Sequence, residues 1–144
     1  MPRNVEQLGQ VFTPPDVVNF MIDLCQNRGR VLEPSAGDGA FYRALLDRQA
    51  EVTAVELDPS VAPAGVQVMD FFDFSENEQF DTVIGNPPYV RIQDVTVNTR
   101  NKLKSPLFDG RSNLFLFFIE KCVRHLKPGG ELVFIVPREF IKLT

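Results

Sequence analysis

Short apolar runs alternate with amphipathic stretches along this chain, and the alternation predicts strands and helices in turn. Five runs have the length and composition of strands, at residues 30–33, 51–57, 66–71, 80–86 and 131–137. Apolar residues at helical spacing predict three helices, at 14–25, 40–49 and 112–126, and Lys127-Pro128-Gly129-Gly130 predicts a turn. Strands separated by crossovers of this kind predict an α/β fold with a parallel sheet.

Polar residues follow several of the predicted strands directly. They are Glu33–Gly39 after the first strand, Glu56 and Asp70 at the ends of the next two, and Asn86–Tyr89 after the fourth. Ligands of parallel α/β sheets bind beyond the carboxyl ends of the strands. We therefore expect these residues to meet at one edge of the sheet and to form a single site.

Composition narrows the class of protein without identifying it. The chain has 144 residues, 44% hydrophobic and 24% charged, which fits one globular domain. The net charge of -4 does not by itself suggest a nucleic-acid partner. Cys25 and Cys122 lack metal-ligand spacing, and no metal site is expected. Without a signal peptide or a long apolar run, a cytoplasmic protein with no membrane partner is expected.

The loop after the first strand contains Gly37-Asp38-Gly39, which lets a ligand approach backbone N–H groups or simply makes a strand–helix turn. Glu56 follows Gly37 by nineteen positions, where an acid can bind ribose hydroxyls. A nicotinamide dinucleotide is disfavoured, because Tyr42 occupies the third glycine position and Glu33 would repel a pyrophosphate. The Glu33 carboxylate favours a cationic ligand instead. An adenosine joined to a cationic amino acid, S-adenosylmethionine, fits this pattern.

Asp70 and Phe71 supply a carboxylate and a phenyl ring at the end of the third strand. The carboxylate can accept a hydrogen bond from an exocyclic adenine amine, and the ring can stack on a purine. An ordinary loop acid and a core phenylalanine explain the same two residues.

The run Asn86-Pro87-Pro88-Tyr89 suits the activation of an exocyclic amine. The Asn86 side-chain oxygen and the Pro87 carbonyl can accept from the two amine hydrogens, which localises the nitrogen lone pair. Pro88 has no N–H to compete, and Tyr89 can stack on the base. An Asn-Pro turn with a buried tyrosine is the structural alternative.

Six runs together resemble a known enzyme family: "GQVFTPP", "VLEPSAGDGAF", "AVELD", "MDFFDF", "FDTVIGNPPYV" and "NLFLFFIEKCVRHLKPGGELVFIVP". In this order they are similar to the N6-adenine DNA methyltransferases of restriction–modification systems. The spacing of the glycine loop and NPPY looks like the gamma type, in which target recognition follows the catalytic domain. The resemblance implies a Rossmann-like S-adenosylmethionine-dependent methyltransferase fold with a mostly parallel sheet, here truncated after the fifth strand.

The resemblance also implies roles for individual residues. Thr13 would line the methionine end of S-adenosylmethionine, Glu56 would bind the ribose, and Asp70 would bind the adenine amine. Phe71 and Pro88 would contact the adenine ring. Asn86, Pro87 and Tyr89 would carry catalysis. The floor beneath the methionine would be formed by Glu33, Ser35, Ala36 and Gly37.

The expected macromolecular partner is duplex DNA with a flipped adenine, and a cognate restriction endonuclease, fused or separate, is a further one. Residues 90–111 hold five cations against two acids. These cations can meet phosphates near the flipped base or belong to a solvated loop. They are Arg91, Arg100, Lys102, Lys104 and Arg111.

Because the family continues with further strands and a recognition domain, residues 1–144 are expected to be a single, incomplete catalytic domain. Such a chain would be a poor enzyme alone. It would self-associate as a dimer through strand five or through helix 112–126, on which Phe115, Leu116 and Ile119 are expected to be exposed.

Two other functions use the same residues. NPPY also occurs in enzymes that methylate protein glutamine or RNA, whose amide or amine groups need the same acceptors. Alternatively, the chain binds the cofactor within a larger restriction–modification protein and has no activity alone.

Overall fold

The computed structural model describes residues 12–89, 95–103 and 114–136. Its strands are β1 (Arg30–Glu33), β2 (Glu51–Glu56), β3 (Gln67–Val68), β4 (Phe80–Gly85) and β5 (Leu126–Phe134). Its α-helices are α1 (Pro15–Leu24), α2 (Ala40–Asp47), α3 (Val97–Arg100) and α4 (Leu114–Arg124). A single 3₁₀ turn, Phe71–Asp73, follows β3 in the described residues.

The strands form one parallel sheet in the order β3-β2-β1-β4-β5, which confirms the predicted α/β fold. Strands β1 and β4 are central and nearly fully buried. Leu32 of β1 pairs with Thr53 on one side and Val83 on the other. The chain order reverses between β1 and β4, and ligands of open α/β sheets bind at such a reversal. The loops after these two strands therefore line the expected binding crevice.

Helices cover both faces of the sheet. Val31 and Ile84 face α1 and α2 in one apolar cluster, which includes Met21, Ile22 and Phe41. The alternate residues of the same strands face the other way and pack with α4 and the 3₁₀ turn. The second cluster contains Leu32, Val83, Phe71, Phe118 and Cys122. Period-two alternation along β1 and β4 thus builds a three-layer α/β/α domain.

The fifth strand differs from its prediction. It begins at Leu126, so the predicted Lys127–Gly130 turn lies inside the strand instead of before it. The pairing shifts there from Phe80–Leu126 to Thr82–Glu131, as in a bulge, and Gly129 takes φ +79°. Pairing with β4 resumes at Glu131, and glycine at position 129 tolerates the left-handed conformation of this irregularity.

Helix α4 also corrects an expectation. Phe115 is only 4% exposed, because its ring packs against Tyr89 with centroids 5.2 Å apart. Leu116 and Ile119 are partly buried. The helix therefore presents less apolar surface than its sequence indicates. No helix in the described ranges is long and apolar enough to span a bilayer.

Candidate active site

A cleft of about 700 Å³, partly open to solvent, lies at the carboxyl ends of β1, β2 and β4. Seven of the predicted site residues line it: Ser35, Gly37, Glu56, Asp70, Phe71, Asn86 and Pro88. An adjoining smaller hollow shares several of these and adds Thr13 and Ala36. The sheet edge therefore brings most of the predicted cofactor residues together.

The glycine loop is held by Glu56 from the neighbouring strand. The Gly37 N–H donates to Glu56 Oε1 at 2.8 Å, and the Asp58 N–H donates to Oε2 at 2.7 Å. The loop needs glycine, since Gly37 and Gly39 have φ of +56° and +89°. The Gly37 N–H is thus engaged inside the protein, which corrects the expectation that this loop offers it to a ligand.

Glu33 ends β1 and is fully buried. Among the described residues neither of its carboxylate oxygens has a hydrogen-bond donor. Burial raises the pKa of Glu33 well above its usual value, and the charges of Glu56 and Asp38 raise it further. A Cβ at Gly85 would lie 3.2 Å from Glu33 Oε1, so glycine at that position leaves room for the carboxylate. Glu33 is the kind of buried group that a cation would complement.

Asp70 and Phe71 lie at the far end of the cleft from Asn86 along the sheet. Asp70 caps the 3₁₀ turn by accepting the Phe72 N–H at 3.0 Å. Phe71 is 4% exposed and packs against Phe118 at a centroid distance of 4.8 Å. The Lys121 ammonium lies 5.1 Å from the centroid of the Phe71 ring. Phe71 is therefore mostly enclosed in the core and contributes only part of its surface to the cleft.

Asn86 contacts two polar neighbours of the cleft, one through its side chain and one through its backbone. Its Nδ2 donates to Thr13 Oγ1 at 3.3 Å, which orients the side-chain amide. The Ser35 hydroxyl donates to the Asn86 backbone carbonyl at 3.0 Å. Thr13 belongs to the predicted FTPP run and Ser35 to the loop after β1. Hydrogen bonds to Asn86 therefore connect three separate sequence motifs at the cleft.

The remaining residues of the run after β4 lie beside the cleft. Pro87 is buried and Pro88 lines the cleft wall. The Tyr89 hydroxyl donates to the carbonyl of Ile135, at the end of β5, and burial raises the pKa of Tyr89. Its ring is half-buried against Phe115. These contacts fix the tyrosine beside the site.

The structure describes two of the five cations that were predicted to contact DNA, Arg100 and Lys102. Arg91, Lys104 and Arg111 lie outside the described residues. Arg100 is exposed and donates to the carbonyl of Val95. Lys102 pairs with Asp73 at 2.6 Å and with Asp70 at 3.4 Å, which raises its pKa. The charge of Lys102 is therefore partly neutralised by these two acids.

Sequence reasoning missed several residues that line the cleft: Phe12, Leu57, Phe72, Thr99, Leu114 and Phe118. Phe12 and Leu57 adjoin predicted site residues and are exposed, at 46% and 48%. An apolar residue next to a binding motif is a signal that could have identified both. Thr99 carries no such signal, because it lies in a segment without periodicity.

Known proteins were compared with this chain by sequence. The model of the Eco57I restriction-modification methylase family matches residues 44–144. The type II methyltransferase M.TthHB8I of Thermus thermophilus is 38% identical, over 94% of this chain and 36% of that protein. M.HincII of Haemophilus influenzae is 34% identical, over 92% of this chain and 28% of that protein. The chain spans about a third of the length of these relatives.

Solved structures show the same fold at lower sequence identity. A putative class I S-adenosylmethionine-dependent methyltransferase from Listeria monocytogenes superposes with a TM-score of 0.70 and 19% identity, over 94% of this chain and 49% of that one. A type I restriction-modification methyltransferase subunit from Streptococcus thermophilus gives a TM-score of 0.62 and 18% identity, over 87% and 34%. The fold is that of the S-adenosylmethionine-dependent methyltransferases. From its sequence matches, the chain belongs to the Eco57I restriction-modification methylase family.

Proposed function

We propose that this chain is the catalytic part of an enzyme that transfers a methyl group from S-adenosylmethionine to the N6 amine of adenine in DNA. The observation that carries the proposal is the orientation of Asn86 at the cleft. Its amide nitrogen donates to Thr13 Oγ1 at 3.3 Å, which orients the amide beside the cleft, and an amide oxygen can accept from a substrate amine. Membership of a restriction–modification methylase family supports DNA as the substrate.

The donor set of the cleft fits S-adenosylmethionine better than a dinucleotide. The buried Glu33 carboxylate matches a ligand with positive charge, and the engaged Gly37 N–H offers no cradle for a pyrophosphate. The carboxylates of Glu56 and Asp70 line the cleft, where the first is proposed to accept from ribose hydroxyls and the second from the adenine amine. Ser35, Ala36 and Thr13 complete the methionine end of the proposed site.

When bound, S-adenosylmethionine supplies a methyl group activated by a positively charged sulfur. The chain's own residues prepare the acceptor. The Asn86 oxygen and the Pro87 carbonyl accept the two hydrogens of the adenine amine, which concentrates its lone pair on nitrogen. Tyr89 stacks on the base, and the two prolines keep the acceptors in place without reorganisation. Glu33, buried below, favours positive charge near the reacting end.

Binding of the DNA target requires that the adenine be flipped out of the duplex and that the protein contact the DNA around it. The adenine must leave the duplex to reach Asn86, which costs a few kcal/mol of unstacking. Arg100 and the cations at 91, 104 and 111 are proposed to contact phosphates around it. Since the relatives are about three times longer than this chain, target recognition is proposed to involve residues beyond it. A cognate endonuclease and a cytoplasmic location follow from the restriction–modification role.

The test measures methyl incorporation by the protein in its full encoded length. Duplex DNA, RNA and a glutamine-containing peptide are offered with radiolabelled S-adenosylmethionine, and digested DNA is analysed for N6-methyladenine by mass spectrometry. We expect label in DNA alone, and none with Asn86→Ala. Label in the peptide or RNA would assign the site to the related glutamine or RNA chemistry. Binding of S-adenosylmethionine without transfer to any substrate would reduce the chain to a cofactor-binding module.

A further inference from the structure

A segment that follows the NPPY run reaches back to the proposed adenine-binding acid. Thr99, in helix α3, is 7% exposed and lines the cleft. Its hydroxyl donates to Asp70 Oδ2 at 2.6 Å, across 29 positions of sequence. The other oxygen of Asp70 accepts the Phe72 N–H at 3.0 Å. The carboxylate is therefore held by the Phe72 N–H, by the Thr99 hydroxyl and, at 3.4 Å, by the Lys102 ammonium, the last two from a different segment.

The position of Thr99 does not depend on Asp70. The Thr96 hydroxyl oxygen accepts the Thr99 N–H at 3.3 Å, and the Thr96 carbonyl accepts the Arg100 N–H at 2.8 Å. Val95, at the start of the segment, packs against Leu114 and Phe117. Lys102 pairs with Asp73 at 2.6 Å and anchors its other end. Backbone and apolar contacts thus present the hydroxyl to the cleft independently of the bond that it donates.

The direction of this hydrogen bond sets the chemistry of the cleft wall. A hydroxyl has one proton, and Thr99 gives it to Asp70. On the cleft wall the pair then presents oxygen lone pairs; the Lys102 ammonium also approaches Asp70 Oδ2, at 3.4 Å, but Lys102 is not among the described residues that line the cleft. Lone pairs accept from an amine and repel a carbonyl oxygen. Adenine carries an amine at purine position 6, whereas hypoxanthine carries a carbonyl there.

We propose that Thr99 is a specificity-determining residue for the cofactor: with Asp70 it selects a purine that carries an amine at position 6. This inference rests on the proposed function, since it concerns the adenine of the same cofactor. Thr99 acts by fixing the carboxylate. Without the hydroxyl, Asp70 can turn away from a carbonyl, and the penalty for the wrong purine falls.

The experiment compares S-adenosylhomocysteine with S-inosylhomocysteine, the same compound with hypoxanthine in place of adenine. Calorimetry measures both dissociation constants for the parent chain, Thr99→Val and Thr99→Ser. We expect the parent to prefer the adenine compound and Thr99→Val to lose at least about tenfold of that preference, the scale of one hydrogen bond to a charged group. Thr99→Ser, which keeps the hydroxyl, should restore the preference.

A purely structural role gives a different result. Thr99→Val would then weaken both compounds equally and lower the melting temperature, with the ratio of dissociation constants unchanged, and this outcome would overturn the proposal. Failure of Thr99→Ser to restore the ratio would do the same. If the parent chain bound neither compound, the proposed cofactor itself would be wrong. The two failures are therefore distinguishable.

Discussion

Replacing Glu56 by alanine tests the link between the glycine loop and the cofactor. This carboxylate is 4% exposed and accepts two backbone N–H groups, from Gly37 at 2.8 Å and from Asp58 at 2.7 Å. It is also the residue proposed to bind the ribose hydroxyls. Glu56→Ala therefore removes two internal acceptors and one ligand contact together.

The structure sets the size of each effect. Leaving a buried donor without an acceptor costs about 1–3 kcal/mol, which applies to the Asp58 N–H; the part-buried Gly37 N–H at the open cleft adds less, so the free energy of unfolding should fall by at least about 1–3 kcal/mol. A domain of this size has roughly 5–15 kcal/mol of stability, so most of the variant should remain folded in the cold. Loss of a charge-assisted hydrogen bond to ribose should weaken cofactor binding by about 1.5–3 kcal/mol, or roughly 10–150-fold.

Urea unfolding and calorimetry with S-adenosylhomocysteine separate the two effects. Glu51→Ala is the matched control, because Glu51 lies on the same strand with its side chain 73% exposed and forms a solvent-exposed ion pair with Arg30 at 3.4 Å. The control should change stability by less than about 1 kcal/mol and leave binding unchanged. A folded Glu56→Ala chain that bound the cofactor as tightly as the parent would refute the proposed ribose contact.

Four further predictions concern catalysis, base capture, pH and assembly. Asn86→Ala should leave S-adenosylhomocysteine binding intact but slow methyl transfer by about 10²–10³, the usual loss for one preorganised polar group; an unchanged transfer rate would remove Asn86 from catalysis. Tyr89→Ala should weaken binding of DNA that presents an unpaired target adenine by about 1–3 kcal/mol, whereas Tyr89→Phe keeps the ring and most of that energy; equal losses would exclude stacking. Because burial raises the pKa of Glu33 above 4.5, the folded state holds a proton that the unfolded chain releases, so ligand-free stability should fall as pH rises from about 4.5 towards the raised value. Glu33→Gln should flatten that dependence in urea titrations, and a parent chain with pH-independent stability in this window would contradict it. Finally, β5 has a neighbour on one side only in the described sheet, and light scattering should detect a dimer at high concentration; a clean monomer would count against pairing through this edge.

The sequence predicts the sheet well where strands are buried on both faces. Residues 30–33 are predicted as the first strand and form it, because Pro34 ends an apolar run that has neighbours on both sides. The fifth strand was predicted five residues too late, since Gly129 and Gly130 indicate a turn, whereas in the structure they form an irregularity inside the strand between the pairs Phe80–Leu126 and Thr82–Glu131. Hydrogen bonding by the main chain leaves no trace in side-chain periodicity.

Burial on α4 shows a second limit of pattern reasoning. The helix is apolar on most of its circumference, so the pattern alone cannot identify which side has a partner. Phe115 is buried because Tyr89, from a loop 26 positions earlier in the chain, packs against it. The contact that covers Phe115 depends on the tertiary fold, which places the loop after β4 beside this helix.

For the site too, some features follow from the sequence and others depend on the tertiary fold. The carboxyl ends of parallel strands must meet at one edge, so the positions of Glu56, Asp70 and Asn86 along the cleft follow from the topology. What the topology leaves open is the partner of each polar group. The acceptor end of Asn86 depends on Thr13, and the lone pairs that Asp70 presents depend on Thr99.

The hydrogen bonds from Asn86 to Thr13 and from Thr99 to Asp70 explain how a cleft lined by common residue types can discriminate between ligands. An amide alone can turn to meet a donor or an acceptor, and a carboxylate, which only accepts, can turn away from an acceptor, both at modest cost. Thr13 accepts from the Asn86 amide nitrogen and Thr99 donates to one Asp70 oxygen, so each contact fixes the orientation of its partner at the cleft. Both cleft ends are then acceptors, one proposed for the adenine of the cofactor and one for the adenine of the target. Each of these two proposed sites therefore binds an adenine amine through oxygen acceptors. At Asn86 there is a second acceptor, the Pro87 carbonyl, whose position the prolines fix. Two acceptors on one amine activate it, whereas one acceptor only binds it.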